Sequence, residues 1–170
     1  LCHAAAATGH EPEEFAAHAD TVMVCLSKGL GAPVGSLLAG SGEIMERAWR
    51  IRRRLGGGMR QSGILAAAGL YALANNRERL TEDHRRARML AEGVARISGL
   101  QAQVPDTNIV MIDLEIPELT PDELLGRMAG EGVLMVPFGP RRLRAVTHLD
   151  VGDEGIERAL EALERAVTTH

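Results

Sequence analysis

A continuous apolar run, Thr21-Val22-Met23-Val24-Cys25-Leu26, stops at a lysine set among glycines, Ser27-Lys28-Gly29-Leu30-Gly31-Ala32-Pro33. Bulky and β-branched residues without alternation predict a strand covered on both faces, as in a parallel sheet. Lys28 then falls at the C-terminal end of that strand, where open α/β sheets bind ligands. A lysine that condenses with a carbonyl must shed its charge and reach its target past bare backbone, and this position suits both demands. The competing reading is an ordinary solvated lysine. A Ser27 and Lys28 nucleophile–base pair for acyl transfer is disfavoured, because adjacent residues of an extended strand point to opposite faces.

The segments that follow alternate between strand and helix signals. Val34 to Gly40 reads as a second strand, and Ser41 caps a helix from about Glu43 to Leu55 with the apolar stripe Ile44, Ala48, Ile51 and Leu55. Gly56-Gly57-Gly58 ends it. Ser62 to Leu73 predicts a helix whose small residues permit close approach of a neighbour, broken at Asn75-Asn76. From Arg77 to Ser98 the spacing of Leu80, His84, Ala87, Ala91 and Val94 predicts a long helix with one apolar face. Asn108 to Leu114, Val133 to Val136 and Leu143 to Thr147 read as strands. Thr120-Pro121-Asp122-Glu123 carries a cap, a proline at the first helical position and a capping-box glutamate. Ile156, Leu160, Leu163 and Val167 mark a terminal amphipathic helix.

Composition narrows the function classes. The chain is 45% hydrophobic and 25% charged, which points to a globular core and excludes disorder. No apolar run is long enough to span a membrane and no leader-like segment opens the chain, so the cytoplasm is the expected compartment. Only Cys2 and Cys25 are present, which argues for reduced packing residues over a disulfide framework. Arg47, Arg50, Arg52, Arg53 and Arg54 crowd one helix, yet a net charge of −4 argues against nucleic acid and for a solvated or subunit-facing helix surface. His84 and His148 lack metal-ligand spacing and read as packing or surface residues; no metal is expected.

Two further arginines stand out. Arg60 follows three glycines and precedes a helix, a place where a forked cation and helix-terminal amides can meet a phosphate dianion; the alternative is a solvated residue on a flexible turn. Arg144 lies inside a strand beside Leu143 and Val146, where a guanidinium is costly unless an anion meets it. A structural pair with an acidic side chain competes with that reading. Arg141 and Arg142 follow a Pro-Phe-Gly-Pro turn and are expected to be exposed.

The string from Ser27 to Ser36, the block Gly56-Gly57-Gly58-Met59-Arg60-Gln61-Ser62-Gly63-Ile64-Leu65-Ala66-Ala67-Ala68-Gly69, and the shorter Glu82-Asp83-His84, Asp106-Thr107-Asn108 and Arg144-Ala145-Val146-Thr147-His148-Leu149-Asp150 together resemble the low-specificity L-threonine aldolases. These are fold type I pyridoxal-phosphate enzymes of the β-eliminating lyase/threonine aldolase family. The resemblance runs in order along nearly the whole chain and corresponds to the C-terminal half of such enzymes. It implies that Lys28 binds pyridoxal 5'-phosphate as a Schiff base, that Arg60 contacts the cofactor phosphate across a subunit boundary, and that Arg144 holds the substrate α-carboxylate. It also implies retro-aldol cleavage of L-threonine or L-allo-threonine to glycine and acetaldehyde, in a homotetramer. In such enzymes the aspartate that pairs with the pyridine nitrogen and the histidine that stacks on the ring belong to the other half.

The expected fold is therefore α/β, with residues 1–80 forming the C-terminal part of a large parallel-sheet cofactor domain and residues 81–170 a linking helix and small α/β domain. Leu1 opens into Cys2-His3-Ala4-Ala5-Ala6-Ala7 without a helix cap, so the chain reads as entered midway, and these residues alone are expected to be inactive without a partner half. Another pyridoxal-phosphate lyase or racemase, or a non-catalytic interaction module, are the alternative functions.

Overall fold

The computed structural model describes residues 1–168 and divides into two units, Leu1–Leu80 and a second beginning at Thr81. The first opens with α1 (Cys2–Thr8) and α2 (Pro12–Ala16). The Glu11 side chain accepts from the Glu14 amide and the Glu11 amide donates to the Glu14 carboxylate at 2.8 Å, a capping box that stabilises a helix of a single turn or so.

The apolar run forms β1 (Thr21–Cys25), and β2 (Ser36–Gly40) pairs with it. The pairing is antiparallel, Thr21 against Gly40 through Cys25 against Ser36, where the sequence suggested a parallel strand. The reason is the length of the connection: a parallel crossover needs a dozen or more residues, and the intervening turn reverses through Gly31 and Gly35, at φ 71° and 111°. Nor is β1 covered on both faces. Met23 and its register partner Leu38 are 62% and 48% exposed.

The core of the first unit lies beneath the turn after β1. Leu26, Leu30 and Ala32 pack with Ala72 and Leu80, and Cys2, Ala6, Val24 and Leu73 close round them. α4 (Gly63–Asn75) brings Gly69 against Leu26, where an added Cβ would lie 3.0 Å from a Leu26 methyl. The small residues of this helix thus admit a side chain from the turn. α3 (Gly42–Arg54) is capped by Ser41 as its sequence suggests, yet none of its residues is buried, and Ile51 and Leu55 on its apolar stripe stand open.

In the second unit α5 (Leu80–Val94), shorter than its periodicity suggests, buries Ala87, Leu90, Ala91 and Val94. β3 (Leu100–Ala102), which gives no clear signal in the sequence, begins a sheet continued by β4 (Ile109–Leu114), β5 (Val136–Pro137) and β6 (Arg142–Val146). The strand order is β3-β4-β6-β5, antiparallel throughout. α6 (Pro121–Gly130) has the full Thr120–Glu123 capping box, and α7 (Asp153–Thr168) buries Ile156, Ala159, Ala162, Leu163, Ala166 and Val167.

Alternation fixes what each sheet face does. Val110, Ile112, Leu114, Leu143 and Ala145 point into one core with α5, α6 and α7. Their neighbours Ile109, Met111, Asp113, Arg142, Arg144 and Val146 occupy the opposite face, outside that core. Among the described residues no helix is long and apolar enough to cross a membrane.

Candidate active site

Lys28 lies just past the end of β1, at the start of a turn in which the Gly31 amide donates to the Lys28 carbonyl at 2.8 Å. The residue is exposed, and its side chain makes no hydrogen bond or ion pair among the described residues. It borders a hollow of about 230 Å³ shared with Cys2, His3, Cys25 and Leu30. His3 leans against the bare backbone of Gly29, the residue after the lysine, in space that a Cβ would fill. The Cys25 thiol is held below its usual range, first by the Ser27 hydroxyl at 3.4 Å and then by backbone amides and the charge of Lys28. Both cysteines are free, and no cluster of metal-ligating side chains occurs among the described residues.

Arg60 occupies the exposed loop between α3 and α4, three residues before the first turn of α4. Its neighbour Gln61 has φ 50°, the one left-handed non-glycine residue among those described. Arg60 has no ion pair among the described residues and does not border the Lys28 hollow.

Arg144 belongs to the second unit, and three arginines of one hairpin show what is particular about it. Arg141, expected to be exposed, is half-buried: it donates to the carbonyls of Leu114 at 3.1 Å, Leu119 at 2.9 Å and Pro117 at 3.4 Å, and to that of Ile116. Its planar fork finds a ring of carbonyl oxygens where the chain leaves β4, which sequence spacing does not reveal. Arg142 forks onto Asp113, its register partner across β4 and β6. Arg144 instead faces Met111 on one side and Val136 on the other. Its Nε is buried without a hydrogen-bond partner, and Phe138 places its ring 5.6 Å from the guanidinium carbon.

A buried, unsatisfied N–H of a permanent cation costs free energy that an anion would recover, so this donor set fits a carboxylate approaching the open sheet face. The structural ion pair that competed with this reading in the sequence does not form among the described residues. By the same measure Lys28 fits a carbonyl cofactor: an amine without a partner, beside glycine backbone, at the edge of a hollow.

Three of the short motifs meet in a hydrogen-bonded knot of structural character. The Thr147 hydroxyl donates to the Asp83 carbonyl at 2.7 Å, and the Asn108 amide side chain donates to the Thr147 carbonyl at 2.8 Å. All three residues are buried. His84 is buried beside them, and His148 sits at the surface 3.5 Å from Asp150.

Residues 1–117 match the beta-eliminating lyase family. The chain belongs to that family. It is 46% identical over 154 residues to the low specificity L-threonine aldolase of Escherichia coli K12, covering 91% of this chain and 45% of that protein. The chain spans about half the length of the curated relatives it matches. Its fold is similar to that of a Listeria monocytogenes protein provisionally named an L-allo-threonine aldolase, with a TM-score of 0.78, 22% identity, and coverage of 98% of this chain and 50% of that one. It is also similar to a Thermus thermophilus α-aminoadipate aminotransferase complexed with N-(5'-phosphopyridoxyl)-L-leucine, with a TM-score of 0.62, 17% identity, and coverage of 88% and 43%. At these identities the two structures speak for the fold, the α/β architecture of type I pyridoxal-phosphate enzymes.

Proposed function

We propose that this beta-eliminating lyase chain supplies the lysine-bearing half of a pyridoxal-phosphate enzyme that cleaves L-threonine or L-allo-threonine to glycine and acetaldehyde. The observation that carries this reading is the 46% identity to the E. coli aldolase across 91% of the chain. The geometry of Lys28 and Arg144 agrees with it. Lys28 would hold the cofactor covalently, and Arg60 would meet its phosphate. When bound, pyridoxal phosphate supplies an electron sink for the pair released from a bond at the amino-acid Cα.

Arg144 receives the substrate carboxylate. A fork of fixed donors limits rotation of the amino acid, and orientation then selects which Cα bond breaks. In the reaction the Cα–Cβ bond opens, the β-hydroxyl gives up its proton as the aldehyde leaves, and Cα takes a proton to become glycine. The remaining partners in this proposal are the other half of the enzyme and further copies in a homotetramer. The uncovered Met23, Leu38, Ile51 and Leu55 supply apolar surface for such neighbours.

The test uses the whole protein loaded with pyridoxal phosphate. Acetaldehyde should be released from L-threonine or L-allo-threonine, and borohydride followed by peptide mass spectrometry should place the cofactor on Lys28. Release of ammonia and a keto acid in place of glycine would transfer the chain to another lyase reaction, and a label on a different residue would remove Lys28 from its role.

A further inference from the structure

The Arg144 guanidinium is left without an acidic partner, yet a side chain with that many rotatable bonds is a poor receptor unless something restrains it. Two neighbours show the other solutions available to an arginine here: Arg142 is held by the Asp113 carboxylate and Arg141 by main-chain carbonyls. Both spend their N–H donors on the protein itself. An aromatic face restrains the guanidinium plane and consumes no donor in its plane.

Phe138 is placed to do this. Its ring centroid lies 5.6 Å from the Arg144 Cζ, and its amide donates to the Arg142 carbonyl at 2.8 Å, which fixes its backbone just past the end of β5, opposite the residue two before Arg144. Arg141 ties the same hairpin to the chain beyond β4. Phe138 itself is 50% exposed and belongs to neither core, so packing gives no account of a large aromatic residue on the open sheet face. Met111 and Val136 border the guanidinium as its register partners and offer no hydrogen bonds.

We propose that Phe138 is a positioning residue, stacking on Arg144 so that the guanidinium is held in one orientation for the amino-acid carboxylate. This rests on the assignment of Arg144 to that carboxylate. The experiment uses the whole holoenzyme and measures KM and kcat for L-threonine together with calorimetric binding of glycine. Phe138→Leu, which keeps apolar bulk but loses the ring face, should raise KM and weaken glycine binding by roughly 3- to 10-fold, as expected for a partly shielded cation–π contact. Its kcat should stay within about twofold, and Phe138→Tyr should behave as the parent in both measurements. In an Arg144→Lys background, where the cation has no plane to hold, Phe138→Leu should add less than about twofold.

If Phe138→Leu leaves KM and glycine affinity unchanged while Arg144→Ala raises both constants, the positioning role is overturned and the carboxylate assignment stands. Equal losses from Phe138→Leu with Arg144 or with lysine at that position would also overturn it, since the ring would then act by packing alone. If Arg144→Ala changes neither constant, the carboxylate assignment itself is what fails. Should Phe138→Leu not fold, Phe138→Met gives the same reading.

Discussion

Asp113 and Arg142 face each other across β4 and β6 with the guanidinium forked onto the carboxylate, Nε to Oδ1 at 2.6 Å and Nη2 to Oδ2 at 2.9 Å. Two residues along the same strand and on the same sheet face, Arg144 has no acidic partner among the described residues. The pair therefore separates two otherwise similar arginines: one is neutralised in place, the other is open to an anion.

Kinetics of the two alanine variants should differ accordingly. Arg142→Ala loses an exposed ion pair of small worth, and KM for L-threonine should stay within about twofold of the parent. Arg144→Ala removes charge-assisted bonds to the proposed carboxylate and should raise KM roughly 10- to 100-fold. Equal effects of the two substitutions would refute the distinction.

Cofactor retention tests the first unit in the same way. Lys28→Ala should abolish the borohydride-stable label, while noncovalent binding persists through other contacts. Arg60→Ala should keep the label and weaken retention by roughly tenfold, the loss of one charge-assisted phosphate contact. Equilibrium dialysis against pyridoxal phosphate reads this directly, and an Arg60→Ala protein that retains cofactor as the parent does would return Arg60 to solvent.

Much of this arrangement is legible in the sequence, and the exceptions share a cause. Capping at Ser41 and at Thr120–Glu123 depends on residues a few positions apart, as does the buried face Ala87, Ala91 and Val94 of α5, so local pattern finds them. The antiparallel β1–β2 pairing, the grip of Arg141 on the end of β4 and the stack of Phe138 on Arg144 depend on where the chain returns in space. The apolar run in β1 signals burial on both sides, yet within the unit Met23 and Leu38 are open. Composition reports the surface a strand is suited to bury, and says nothing of which residues cover it. Glycine neighbours and an apolar setting are local, so Lys28 and Arg144 stand out in the sequence as candidates, whereas Phe138 carries no such mark.

The Thr147 knot yields a stability prediction. Its hydroxyl satisfies the Asp83 carbonyl at 2.7 Å in a buried setting, and valine has the same shape without the donor. Thr147→Val should destabilise the protein by about 0.5–1.5 kcal/mol in urea, the net worth of one buried hydrogen bond to a carbonyl that also accepts within α5, and Thr147→Ser should recover most of it. An unchanged midpoint for the valine variant would mean that this bond adds nothing to stability.

Acid should act on the second unit through His84. Burial lowers its pKa from the ordinary 6.5; the neighbouring Asp83 raises it in part and Arg88 lowers it further. The folded state therefore releases a proton that the unfolded chain retains, and stability rises with pH in that range. The contribution is complete above the unfolded value near 6.5 and declines as pH falls through it towards the lower folded value. Asp153, held below the carboxylate range by Arg86 and Arg85, has the same sign, but its loss comes only below about pH 4. Melting temperatures between pH 7.5 and 5 read the imidazole range, above that of the carboxylates. His84→Gln removes the titrating group while keeping a polar side chain of comparable reach. The variant can start from a lower melting temperature at neutral pH, so the slope is the decisive quantity, and it should flatten over that window. A slope equal to the parent's would place the acid sensitivity at some other residue.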